Sequence, residues 1–145
     1  MRIIVISPSG QHENETEIIT KLFEGGLETL HLRKPRYSTK QLANYIKKIP
    51  SVYHDRIVIH SHHNLMFKFN LKGIHLTKTH RSRNFRTWFM ARLIKYKRPS
   101  ATVSVSHRRL IGLFEDEKVH DYVFLSPVFD SLTSKYQSGF TEHSL

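Results

Sequence analysis

Apolar positions along this chain switch period repeatedly, forming short β-branched runs in one stretch and recurring every three to four residues in the next. The runs Arg2 to Ser7, Glu28 to Leu32, Arg56 to His60, Gly73 to Thr77, Ala101 to Ser106 and Tyr122 to Leu125 read as six strands. Each is short and apolar enough for a buried parallel strand.

Helix-period segments fill the gaps. The first is expected to start at Asn14, with its side chain capping and Glu17 reaching back, to carry Ile18, Ile19, Leu22 and Phe23 on one face, and to end at Gly25-Gly26. The second repeats the logic: Ser38 and Gln41 form a capping box, Leu42, Tyr45, Ile46 and Ile49 the stripe, and Pro50 the stop. A short helix fits Asn64 to Phe69, a longer one Asn84 to Tyr96 with Phe85, Trp88, Phe89 and Leu93 inward, and a last one His107 to Phe114. Alternating strands and helices imply an α/β fold with a parallel sheet and right-handed crossovers, and no linker or low-complexity stretch divides residues 1–145.

Composition narrows the chemistry. At 145 residues and 39% apolar content the chain can close a core, and with no Cys it has no thiol nucleophile, disulfide or Cys-held metal. No apolar stretch is long enough to span a membrane. The start, punctuated at Pro8, reads as the first strand of a cytoplasmic protein rather than a signal peptide. Lys and Arg number 23 against 12 Asp and Glu, with 11 His besides, so anionic partners come first.

In parallel α/β folds the chemistry lies beyond the carboxyl ends of the strands. Those ends read Ser7-Pro8, Arg33-Lys34, His60 to His63, Thr77-Lys78, Ser106-His107 and Ser126 to Phe129, with cations, imidazoles and hydroxyls and no carboxylate. Such a rim suits a phosphate ester. Arg33 is either a bidentate phosphate clamp or a solvated turn residue. His60 and His62, two apart, raise a metal site, but no Cys or carboxylate lies nearby to complete it; polar lining of a pocket is the better reading, and no metal ligand is assigned. His107 is the candidate for proton transfer, with capping of the next helix as the plain alternative. No Asp or Glu occurs between Arg56 and Phe114, so the helix over 84–96 is strongly basic. Nucleic acid is the weaker reading there, because Phe85 and Trp88, which could stack on bases, belong to the stripe expected to be buried.

Four segments in this order resemble the thiamine-phosphate synthase family and its thiazole tautomerase branch. Leu30-His31-Leu32-Arg33-Lys34 is similar to the family's Gln-Leu-Arg-x-Lys, and Gly73-Ile74-His75-Leu76 to its Gly-Val-His-Leu. Ser104-Val105-Ser106-His107 resembles the Ser-x-His ending of the fifth strand. The run Asp121 to Ser131 resembles Asp-Tyr-Val-x-x-Gly-Pro-Val-Phe-x-Thr, leading into a phosphate loop matched by Ser131-Leu132-Thr133-Ser134-Lys135.

The resemblance implies a (β/α)8 TIM-barrel type domain in thiamine biosynthesis that joins hydroxymethylpyrimidine diphosphate to thiazole phosphate. Arg33, Lys34, Ser131, Thr133 and Lys135 would hold phosphate, His31 and His60 would line the substrate, and His107 would be the acid–base residue. Mg²⁺ is expected of the family, but Ser61 and His80 stand where its two Asp ligands belong, His31 replaces a Gln, and Pro35 holds the lysine position. Six βα units are also about two short of the full barrel. The expectation is therefore a truncated member binding small phosphorylated thiazole or pyrimidine ligands, with a homodimer covering its open sheet edges. Metal-independent tautomerase-like proton transfer and a non-catalytic phosphate-binding remnant are the alternatives.

Overall fold

The computed structural model describes residues 3–77, 84–107 and 120–126. Six strands, β1 (Ile4–Ile6), β2 (Thr29–Leu32), β3 (Ile57–Ile59), β4 (Gly73–Leu76), β5 (Thr102–His107) and β6 (Tyr122–Leu125), pair in chain order, every neighbour parallel. Helices α1 (Glu15–Glu24), α2 (Thr39–Lys47) and α3 (Asn84–Lys97) follow β1, β2 and β4. The stretch expected to be helical over 64–69 is a 3₁₀ turn, His63–Phe67, and a second 3₁₀ turn, Ser51–Arg56, follows Pro50. The helix expected from His107 to Phe114 lies outside the described residues beyond His107 itself, which closes β5.

The sheet is curled into a half-barrel. His31 on β2 and Tyr122 on β6 are four strands apart, about 19 Å across a flat sheet, yet their side chains meet at 2.6 Å. Strand alternation divides the two faces. Leu30, Leu32, Ile57, Ile59, Ile74 and Val105 point to the convex side and pack with Phe23, Leu42 and Ile46 of the helices in one core. Buried Val58, paired with His31 and with Gly73, belongs to the concave side and not to that core.

Local signals explain most element ends. The Ser38–Gln41 capping box forms in both directions, at 3.2 and 2.8 Å, and the predicted α2 stripe is buried. Beyond α1, Gly26 adopts φ 93°, and the Leu27 and Gly26 amides bond back to the Leu22 and Phe23 carbonyls, a Schellman-type stop. Gly73 has a different reason: a Cβ there would collide with the backbone and hydroxyl of Thr102 on β5.

Two expectations are overturned. Asn14 precedes α1 in a left-handed conformation, and its side chain makes no capping bond; the helix start is held instead through Glu15, which is buried against Lys34. On α3 the buried residue is Ile94, with Met90 and Ala91 partly buried, whereas Phe85, Trp88 and Phe89 are exposed. Apolar residues occupy both sides of that helix, and the narrower side, with Ala91, is the one that packs on the sheet.

Candidate functional site

The register of β2 to β6 sends one set of side chains into the concavity. Thr29 and His31 come from β2, Val58 from β3 with His60 just beyond it, Gly73 and His75 from β4, Ser104 and Ser106 from β5, and Tyr122 and Phe124 from β6. Layers of Val, Ile and Leu commonly fill a barrel at this place; here three imidazoles, three aliphatic hydroxyls and a phenol stand among the lining residues.

His31, His60 and His75 are all buried and lie together. His31 Nδ1 is 2.9 Å from His60 Nε2, and its Nε2 is 2.6 Å from the Tyr122 hydroxyl. The His60 and His75 rings stack with centroids 4.2 Å apart. His75 bonds the Ser104 hydroxyl through Nδ1 at 3.0 Å and the Ser106 hydroxyl through Nε2 at 3.1 Å. Phe124 forms an apolar wall with its ring edge-on to His31 at 5.0 Å.

Electrostatics keep His31 and His60 uncharged at neutral pH. Burial, then the nearby His75 and Lys72, lowers the His31 pKa to about 3. Burial again leads for His60, followed by His75, His31, Arg33 and His63, and its pKa falls to about 2. Neutral imidazole is both a metal ligand and a hydrogen-bonding partner for a polar heterocycle.

The remaining expected site residues divide sharply. Arg33 is exposed at the carboxyl end of β2, and its charge reaches His60, so it stands at the mouth of the concavity. Lys34 is fully buried, and its ammonium donates to Glu15 Oε2 at 2.7 Å, to Pro8 O at 2.9 Å and to the Gly10 carbonyl. That geometry commits its three protons to tying the β1–α1 loop to β2 rather than to a phosphate. His62 does not join His60. It turns through a left-handed backbone, donates from Nε2 to the Tyr37 carbonyl at 2.7 Å and bonds the Thr39 hydroxyl through Nδ1 at 2.8 Å. His107 lies on the Val103 and Val105 side of β5, opposite Ser104 and Ser106, and so apart from the imidazole cluster. Ser131, Thr133, Lys135 and His80 lie outside the described residues.

Mg²⁺ does not fit the described concave face. It asks for oxygen ligands, carboxylates above all, and the concave residues of β2 to β6 include none; Asp121, just before β6, bonds the Val103 amide and Lys95 instead. His75 and Tyr122 are the functional candidates that reasoning on strand ends passed over. Their signal was polar residues at every second place inside otherwise apolar strands.

A family model described as thiamine monophosphate synthase matches residues 3–140. Among solved structures, a thiamine phosphate pyrophosphorylase from Bacteroides thetaiotaomicron superposes with TM-score 0.69 at 36% identity, covering 89% of this chain and 59% of its own. A thiamine phosphate pyrophosphorylase from Pyrococcus furiosus gives TM-score 0.64 at 17% identity, covering 87% of this chain and 60% of its own. The chain thus spans about 60% of the length of these structures. No curated protein matches it. No helix among the described residues is long and apolar enough to cross a membrane.

Proposed function

Because the chain belongs to the thiamine monophosphate synthase family, we propose that it serves thiamine biosynthesis by binding a phosphorylated thiazole or pyrimidine on the concave face, without Mg²⁺. One observation carries this reading: an exposed arginine stands at the mouth of a buried imidazole cluster in which His31 and His60 are held uncharged. Arg33 would take the phosphate through its planar fork, while His31, His60 and the β5 hydroxyls would meet the heteroatoms of the ring. Ser131, Thr133 and Lys135 are proposed as further phosphate contacts on the strength of the family resemblance. Condensation of the two substrates with loss of diphosphate is the less supported reaction, since among the described residues the concave face carries none of the carboxylates that would hold Mg²⁺.

Proton transfer is the second reading, favoured by the hydrogen-bonded chain His60–His31–Tyr122. Its expected reaction is isomerisation of a thiazole carboxylate phosphate, in which a proton leaves one ring position and returns at another.

Calorimetric titration with thiazole phosphate and with hydroxymethylpyrimidine diphosphate tests the binding reading. Arg33→Ala should weaken affinity by about tenfold or more, the scale of a lost charge-assisted bond. Unchanged affinity in that variant would reject the assignment. Incubation with both substrates and Mg²⁺ should yield no thiamine phosphate, and Mg²⁺-dependent product would restore the synthase reaction. Isomerisation that proceeds without added Mg²⁺ and is lost in Tyr122→Phe would establish proton transfer.

A further inference from the structure

We propose that His31, His60 and His75 form a three-histidine site for a divalent transition metal, Zn²⁺ first, whose fourth position takes an anionic ligand. The inference goes beyond the binding reading above and stands without it. One ring nitrogen from each residue lies within 4.8 Å of the others. Around tetrahedral Zn²⁺, at about 2.0–2.1 Å per bond, imidazole nitrogens sit roughly 3.3 Å apart, so small side-chain rotations close the set.

The donor chemistry selects the ion. Three imidazoles suit Zn²⁺, Cu²⁺ or Ni²⁺ and are poor ligands for Mg²⁺ or Ca²⁺. Burial already holds His31 and His60 in the neutral state that ligation needs. The outer partners are in place as well. When His31 binds through Nδ1, its Nε2–H donates to the Tyr122 hydroxyl, and whichever nitrogen of His75 stays off the metal keeps a serine hydroxyl. Such partners orient metal-bound histidines and fix their tautomers. Phe124 shields the His31 side.

Charge defines the fourth ligand. Three neutral imidazoles leave the ion its full double charge, and Arg33 adds another positive charge near His60. Among the described residues no carboxylate faces this position, so an external anion, a phosphate or a carboxylate, is the group that balances it.

The experiment uses the metal alone on the intact chain, stripped with chelator and then titrated with ZnCl₂ or MgCl₂. One Zn²⁺ per chain and no Mg²⁺ is expected, and Co²⁺ in place of Zn²⁺ should give the intense visible absorption of a four-coordinate ion. Tyr122→Phe should weaken Zn²⁺ binding by about tenfold, His60→Gln by about 100-fold or more, and the exposed His12→Gln not at all. X-ray absorption on the Zn²⁺-loaded native chain should count three imidazoles, and it decides the matter if His60→Gln fails to fold. Fewer than three imidazoles, no tight Zn²⁺ binding, or undiminished binding in a folded His60→Gln would overturn the proposal.

Discussion

Lys34 shows how residue identity and residue role separate. It sits in a segment that resembles a diphosphate-binding motif, yet it is buried in an ion pair with Glu15, roofed by the rings of Tyr37 and Tyr45 at 5.9 and 5.5 Å. Burial and then the Glu15 charge push the Tyr45 hydroxyl pKa well above its ordinary value, so the phenol stays neutral beside the pair. Removing one partner of such a pair leaves a buried charge alone, which costs about 3–5 kcal/mol. Lys34→Met should therefore lower the urea midpoint sharply, and adding Glu15→Gln should recover much of the loss. An unchanged midpoint combined with weakened phosphate binding would return Lys34 to the ligand site. Other cations are spent in the same way. Arg56 caps the Phe23 and Leu27 carbonyls, Arg98 those of Met66 and Phe69, and Lys72 that of Glu28, so part of the basic excess closes loops and helix ends.

At the level of elements, α3 separates what its pattern told from what it hid. The helix spans 84–97 against an expected 84–96, but its buried side is the opposite one. Ile94→Ala should cost about 2–5 kcal/mol, as for other fully buried aliphatics, whereas Phe85→Ser and Phe89→Ser should each stay within about 0.5 kcal/mol. Chemical unfolding of the three variants reads this directly, and a reversed order would mean the aromatic side packs. Arg92 already covers part of the exposed Trp88, 5.0 Å from its ring. All six strands were legible, with ends within two residues, because short β-branched runs between caps and turns leave few alternatives. The α2 capping box was equally plain. The imidazole cluster was not: His31, His60 and His75 are 29 and 15 residues apart in sequence, and only parallel register and curl bring them to one place. The Asn14 cap failed because a tertiary ion pair, invisible to local pattern, took over the helix start.

For the whole molecule, the concave cluster couples shape to proton activity. In the metal-free protein His31 and His60 have pKa values of about 3 and about 2 when folded, against 6.5 when unfolded. Below about pH 6.5 the unfolded chain binds protons that the folded chain refuses, so their contribution to stability is complete above that pH and declines as pH falls toward the folded values. With two such groups the slope approaches about 2.7 kcal/mol per pH unit near pH 5, large against a typical total of about 5–15 kcal/mol. Denaturant titrations at successive pH values should show that decline, and a flat stability between pH 7 and pH 5 would contradict it. Filling the half-barrel with polar groups also has a thermal consequence. Exposing polar surface lowers the heat capacity that exposing apolar surface raises; relative to a barrel packed with Val and Leu, this one gains less heat capacity on unfolding. Its stability curve is accordingly broader and shallower, and the same free energy is spread over a wider range of temperature.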